Sequence, residues 1–120
     1  MSTPPLEING AVAVVTGGAN GIGKGIVGAL LRRGATVVIA DIEQTVLDAT
    51  VEDFAGLGPV EGVQTDVSDN ASLEALADHV FDKHGKCNIL INNAGVGSGG
   101  GGKAWHNEPN DWKWCFGVNV

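Results

Sequence analysis

The sequence predicts an α/β protein built on a doubly wound parallel sheet. Runs of apolar, β-branched residues alternate along the chain with segments of helical periodicity, and a fourth apolar run follows the third such pair. The runs are continuously apolar rather than alternating, which indicates strands buried on both faces. Ligands of such sheets bind at the carboxyl ends of the strands, so the residues that follow each strand are the candidate site.

A glycine-rich turn follows the first predicted strand, residues 11–15. It reads Thr16-Gly17-Gly18-Ala19-Asn20-Gly21-Ile22-Gly23. Glycine keeps side chains away from the backbone N–H groups, and the helix that follows adds roughly half a positive charge, so the turn suits a phosphate. A tight turn without a ligand is the alternative. Three glycines, Gly17, Gly21 and Gly23, directly after a buried strand favour a nucleotide site.

Two other glycine motifs overlap this turn. Residues 23–28 match the pattern G-x-G-x-x-G, but they fall inside the expected helix and not on the turn. Residues 18–24 match a P-loop through Lys24, but Gly25 replaces the Ser or Thr that would bind Mg²⁺. P-loop-type nucleotide binding is therefore a remote alternative.

The first helix and the second strand follow the turn. The helix is expected to end at Gly34 and to bury residues spaced at i, i+4, i+7 and i+8, namely Ile22, Ile26, Ala29 and Leu30. A second buried strand is predicted over residues 36–40.

Asp41 stands at the end of that second strand, 18 residues after Gly23. An acid about 20 residues after a glycine turn accepts hydrogen bonds from the adenosine ribose of a dinucleotide. Its charge would repel the 2′-phosphate of NADP. Helix capping is the alternative, because a helix is predicted over residues 42–57, and both roles can hold at once.

The second half of the sequence continues the alternation. A third strand is predicted over residues 60–65, with Asp66 and Val67 after it, and a helix over residues 69–84. His79 and His84 on this helix share no metal-ligand spacing, and we expect them to be solvated. A fourth strand is predicted over residues 88–92.

Composition excludes several classes of function. The net charge of the 120 residues is −7, which argues against binding to nucleic-acid phosphates or to an anionic membrane surface. No apolar run approaches the about 20 residues of a membrane span. The first residues lack the features of a secretory signal, so a cytoplasmic protein is predicted. The spacing of Cys87 and Cys115 fits no metal motif, and no metal is expected.

Together these segments resemble the short-chain dehydrogenase/reductase family. The resemblance rests on three motifs, which are Thr16-Gly17-x-x-x-Gly21-Ile22-Gly23, Asp66-Val67, and Asn92-Asn93-Ala94-Gly95. It covers residues 11–120 and implies a Rossmann-like fold with strand order 3-2-1-4. In that family the glycine turn holds the pyrophosphate of NAD or NADP. Basic residues near Asp41 or at Asn20 usually accompany NADP, and their absence here favours NAD.

The resemblance also implies the site residues. The cofactor-binding residues would be Gly17, Asn20, Gly21, Ile22, Gly23, Asp41, Ile42, Asp66, Val67, Asn93, Ala94 and Gly95. Asp66 would lie near the adenine amino group, although capping of the next helix is an alternative role. Residues 93–95 would close over the cofactor, although a simple turn is an alternative. Asn119 matches an asparagine that binds a water linking the catalytic lysine to solvent.

The implied function is an NAD-dependent oxidoreductase that interconverts a secondary alcohol and a ketone, as a homo-oligomer. The family's catalytic serine and its Tyr-x-x-x-Lys pair come later in its domain, and this chain has no tyrosine. We therefore expect an extended lead-in over residues 1–9, an incomplete NAD-binding domain over residues 10–120, and no activity of this chain alone. A non-catalytic NAD(H)-binding module is the alternative function.

Overall fold

The computed structural model describes residues 7–19 and 21–93. Strands and helices alternate along this part of the chain, in the order β1 (Val12–Thr16), α1 (Gly21–Arg32), β2 (Thr36–Asp41), α2 (Gln44–Phe54), β3 (Val60–Gln64), α3 (Asn70–His84) and β4 (Ile89–Asn92). Within the described residues the strands form one parallel sheet of order β3-β2-β1-β4. The predicted fold class and strand order are confirmed.

The two central strands carry the core. All five residues of β1 are buried, and alternate side chains of β1 and β2 enter opposite layers. On one face, Ala13, Val15, Val37 and Ile39 pack with residues of α1 and α2. On the other, Val12, Val14, Val38 and Ala40 pack with Leu76 and Val80 of α3. Each buried valine or isoleucine contributes about 1.5–3 kcal/mol, which explains the continuous apolar runs.

The buried face of α1 differs from the predicted one. Ile22 is 76% exposed and Ala29 is exposed, while the buried residues are Gly23, Val27, Gly28, Leu30 and Leu31. The reason lies at Gly23, where a Cβ atom would sit 2.2 Å from the carbonyl oxygen of Gly17. Because the helix rests on its turn at a glycine, the neighbouring Ile22 points outward. Leu30 was predicted correctly, and Ile26 packs against the core from a half-buried position.

Helix boundaries follow the local capping chemistry. In α3 the Asp69 side chain accepts a hydrogen bond from the N–H of Ala71 at 3.2 Å, and Gly85 ends the helix with φ of 76°. Both are the expected ends. Helix α2 begins at Gln44 and not at Ile42 as predicted, and it ends at Phe54. Within residues 7–19 and 21–93, no helix combines the length and apolar character needed to cross a bilayer.

The two histidines of α3 are bound to a carboxylate, and the expectation that they are solvated was wrong. Glu61 of β3 pairs in register with Val38, whose side chain faces α3, so Glu61 faces the same helix. The Nε2 atoms of His79 and His84 each lie 2.6 Å from one oxygen of Glu61. Burial raises the pKa of Glu61, but these hydrogen bonds and the nearby charges of His79 and Lys83 lower it overall.

Candidate functional site

The candidate site is the edge of the sheet where β1, β2 and β4 end. Parallel strands place their carboxyl ends together, so Thr16, Asp41 and Asn93 meet there with the start of α1. The residues predicted from separate stretches of sequence are therefore brought to one edge.

The glycine turn is built from conformations that favour glycine. Gly17 has φ of 67° and Gly21 has φ of 33°, a region that other residues rarely adopt. The N–H of Gly17 donates to the carbonyl oxygen of Ala40 at 2.7 Å. The turn is thus fastened to β2 one residue before Asp41, which sets the glycine turn and the carboxylate side by side.

Close packing explains two further glycines. A Cβ at Gly23 would meet the backbone of Gly17 and Gly18 at 2.2 to 2.9 Å, and a Cβ at Gly18 would lie 2.9 Å from Cγ2 of Ile39. Gly23 was among the predicted site residues. Gly18 was not, although it stands in the same glycine run. Its role follows from contact with Ile39, a residue 21 positions away that no local pattern connects to it.

The P-loop alternative does not fit the geometry. Helix α1 begins at Gly21, so residues 23–25 lie inside the helix rather than on the turn. The Nζ atom of Lys24 lies 3.5 Å from a carboxylate oxygen of Asp53 on α2, so it is directed to α2 and not to the turn. For the same reason the G-x-G-x-x-G match over residues 23–28 was correctly assigned to the helix.

Asp41 ends β2 and is half-buried. Its Oδ1 accepts a hydrogen bond from the N–H of Glu43 at 3.3 Å. The N-cap position of α2 is Glu43, so the alternative role of Asp41 as a helix cap is not the one observed. Ile42, beside it, is 56% exposed. The carboxylate is therefore partly exposed at the carboxyl end of β2, with an apolar side chain next to it.

Asp66 follows β3 and orders the turn before α3. Its carboxylate accepts hydrogen bonds from the hydroxyl of Ser68 at 2.6 Å and from the N–H of Ser68 at 3.0 Å. Both bonds favour the ionised form and lower the pKa of Asp66. The cap of α3 is Asp69, so Asp66 is not the helix cap. Val67 is half-buried beside it.

Asn93 joins the end of β4 to the glycine turn. Its N–H donates to Oγ1 of Thr16 at 3.0 Å, and its Nδ2 donates to the carbonyl oxygen of Gly17 at 3.2 Å. The Thr16 hydroxyl in turn lies 2.9 Å from Oδ1 of Asn92. Asn93 therefore does more than form a local turn. The bridging role of Thr16, which no local motif indicates, depends on contacts 76 and 77 residues away.

Four predicted site residues lie outside the described residues. They are Asn20, Ala94, Gly95 and Asn119. Their assignments stay predictions.

Comparison with known proteins identifies the family. Residues 11–120 match the model of the short chain dehydrogenase family. The chain belongs to that family. It is 38% identical to fluoren-9-ol dehydrogenase of Terrabacter sp. (strain DBF63), a match that spans 95% of this chain and 34% of the relative. It is 35% identical to 7alpha-hydroxysteroid dehydrogenase of Escherichia coli (strain K12), which covers 96% of this chain and 44% of the relative. The chain thus spans less than half the length of these relatives.

Solved structures agree with this assignment. A short chain dehydrogenase/reductase from Burkholderia phymatum in complex with NAD superposes with a TM-score of 0.74 at 43% identity, covering 97% of this chain and 41% of that one. L-sorbose reductase from Gluconobacter frateurii, complexed with NADPH and L-sorbose, superposes with a TM-score of 0.72 at 30% identity, covering 78% and 37%. The resemblance to the family is confirmed, and the two neighbours hold different cofactors.

Proposed function

We propose that these residues form the cofactor-binding part of an NAD-dependent oxidoreductase that interconverts a secondary alcohol and a ketone. The observation that carries the proposal is the Gly17–Ala40 backbone hydrogen bond, which joins the glycine turn to β2 one residue before Asp41. A phosphate-binding turn and a ribose-binding acid at the ends of neighbouring strands match one nucleotide-binding half of a Rossmann fold, and the family match over residues 11–120 favours a dinucleotide.

The residues present fit such a cofactor. The cradle has no side chains at Gly17, Gly21 and Gly23, and a Cβ at Gly23 would push into the turn itself. The first N–H groups of α1 have no partner within the helix, so they are available to a pyrophosphate. When bound, the nicotinamide would accept or donate the hydride. The chain's own residues would bind and orient it, with Ile22 exposed beside the turn.

Further residues of the crevice extend the proposed site. Asp66 and Val67 at the end of β3 would border the adenine, and the Asp66 carboxylate would accept a hydrogen bond from the adenine amino group. Ile42 would cover the adenosine side. Residues 93–95 would pass along the nicotinamide ribose, and Asn119 would serve the proton path of the lysine that the family resemblance implies.

Preference for NAD over NADP is proposed from charge. The 2′-phosphate of NADP would approach the Asp41 carboxylate, and two such charges 4 Å apart repel by about 1 kcal/mol in water and about 4 kcal/mol near a protein surface. The cofactors of the structural neighbours support either choice, because one neighbour holds NAD and another NADPH. The choice of NAD therefore rests on Asp41.

Replacing the ribose-binding acid tests this proposal. We expect Asp41→Ala to lower the ratio of the NADPH dissociation constant to the NADH dissociation constant by about tenfold, or 1.4 kcal/mol. Cofactor fluorescence measures both constants. Asp78→Ala is the charge-matched control, because Asp78 is exposed on α3, and it should leave the ratio unchanged. An unaltered ratio in Asp41→Ala would remove the ribose role. Tighter binding of Mg-ATP than of NADH would overturn the cofactor assignment.

A hydride-transfer assay separates the enzyme from a non-catalytic binding module. The 120 residues contain no tyrosine, so we expect this chain alone to bind NADH without oxidising it in the presence of ketones. Turnover above background by this chain would contradict the proposal that these residues bind the cofactor and that the catalytic residues lie elsewhere. If the protein that contains it transfers hydride, the module alternative is excluded.

A further inference from the structure

The short connection between β2 and α2 is held by a side chain from the neighbouring strand. The Nε2 atom of Gln64, the last residue of β3, donates to the carbonyl oxygen of Ile42 at 3.0 Å. Asp41 and Gln64 are partners in the strand register, so their side chains emerge on the same face of the sheet. Gln64 is thus placed beside the carboxylate proposed to bind ribose.

The bond to Ile42 acts on Asp41 through one peptide group. The carbonyl of Ile42 and the N–H of Glu43 belong to the same planar peptide unit. Its carbonyl accepts from Gln64, while its N–H donates to Oδ1 of Asp41 at 3.3 Å. Hydrogen bonds at both ends of one peptide fix the orientation of its plane, and each polarises the other.

The backbone of Asp41 is fixed separately. Its carbonyl oxygen accepts from the N–H of Thr65 at 2.8 Å. What the sheet does not fix is the rotation of the carboxylate, because Asp41 is only half-buried at the sheet edge. Among the described residues, the contact that restrains Oδ1 is the Glu43 N–H, and Gln64 holds the peptide that carries it.

We propose that Gln64 is a positioning residue for cofactor selection, which orients the Asp41 carboxylate toward the adenosine ribose by holding the Ile42–Glu43 peptide. This inference rests on the proposed function. Gln64 itself touches neither cofactor nor substrate in this scheme. Losing its donor leaves the carboxylate free to rotate, so binding of the ribose weakens and the discrimination against a 2′-phosphate falls.

Two substitutions of Gln64 test whether it positions Asp41 through the Ile42–Glu43 peptide. Gln64→Leu removes the donor at similar size, and Gln64→Glu places a carboxylate oxygen against the Ile42 carbonyl. Loss of one such hydrogen bond corresponds to about a 3- to 10-fold change in affinity. We expect Gln64→Leu to weaken NADH binding by that factor and Gln64→Glu to weaken it more. Gln44→Leu is the matched control, because Gln44 donates to Asp48 on the surface of α2 and not to the connection.

The ratio of NADPH to NADH dissociation constants is the decisive readout. Partial unfolding lowers both affinities by the same factor, so a merely structural role leaves the ratio unchanged. We expect the ratio to fall in Gln64→Leu and to stay constant in Gln44→Leu. Gln64→Glu adds a charge that itself repels a 2′-phosphate, so for this variant only the NADH affinity is compared. In an Asp41→Ala background, Gln64→Leu should have no further effect on the ratio, since residues acting through one another are not additive.

The outcomes distinguish this inference from the function on which it rests. The proposed function would be refuted if the protein did not bind NADH. It would also be refuted if Asp41→Ala left the ratio of NADPH to NADH dissociation constants unchanged. If Asp41→Ala lowers the ratio of NADPH to NADH dissociation constants while Gln64→Leu keeps the native ratio, the positioning role is refuted and the function stands. The positioning role would also be refuted if Gln64→Leu changed the ratio of dissociation constants equally in the native protein and in the Asp41→Ala background.

Discussion

The contact between α1 and its turn gives a prediction whose magnitude follows from the structure. A Cβ added at Gly23 would lie 2.2 Å from the carbonyl oxygen, and 2.9 Å from the carbonyl carbon, of Gly17. Both atoms are backbone and cannot swing aside as the end of a flexible side chain would. Overpacking costs about 1–3 kcal/mol, and we take the upper end for Gly23→Ala because the helix must move away from the backbone of the turn.

Gly25→Ala is a matched control on the same helix. A Cβ there meets nothing within 4 Å, so the substitution gains only helix propensity, about 0.5–1 kcal/mol. Since both variants gain this propensity, the difference between their free energies of unfolding isolates the clash, and we expect it to be about 3 kcal/mol. Urea denaturation measures this difference. NADH titration should show weaker binding in Gly23→Ala, because the turn is displaced, and native binding in Gly25→Ala.

Unfolding of the two variants at the same urea concentration would contradict this prediction. In that case the helix can shift away from Gly17 at negligible cost, and the rotation of α1 has another origin. Native NADH affinity in a destabilised Gly23→Ala would separately contradict the link between this contact and the cofactor cradle.

Two further predictions concern Glu61 on β3 and the hydrogen bonds of Thr16 between β1 and β4. The folded pKa of Glu61 lies below its ordinary value of 4.5, so its contribution to stability is fully present above that pH and is lost as the pH falls through the folded pKa. Glu61→Gln should therefore flatten the acid limb of a stability–pH curve below pH 4.5, measured by thermal unfolding, and an unchanged limb would exclude the carboxylate as its source. Thr16→Val should cost about 1–3 kcal/mol, because the N–H of Asn93 and the amide oxygen of Asn92 lose their partner. Thr16→Ser keeps the hydroxyl and should stay within about 1 kcal/mol of the native protein, so equal losses in both variants would show that the methyl group, not the hydrogen bond, matters.

Much of the site can be predicted from the sequence because its signals are local. The order of strand, glycine turn and helix, and the acid after β2, lie within a short stretch, residues 12–41. Turn chemistry constrains Gly17 and Gly21 directly, since positive φ favours glycine. The strand order followed from the family resemblance, and α3 was predicted almost to the residue because Asp69 and Gly85 are strong caps.

The errors have two sources, which are local geometry that the sequence pattern left open and hydrogen bonds between distant residues. The periodicity of α1 allowed two buried faces, and the contact of Gly23 with Gly17 selected one of them. Capping chemistry near Asp41 was ambiguous, and the observed cap position is Glu43. The bond from Gln64 to Ile42 spans 22 residues, and those from His79 and His84 to Glu61 span 18 and 23.

Local sequence therefore suffices to predict the alternation of elements, the need for glycine in the turn and the acid that follows β2. These depend on backbone sterics and on burial, which act between near neighbours. Packing of the whole sheet and its helices sets the remaining features, which are the rotation of α1, the bridge of Thr16 and Asn93 between β1 and β4, and the contact of Gln64 with the connection after Asp41. Side-chain hydrogen bonds between strands depend on sheet register and twist, and these are settled only when the whole layer is packed.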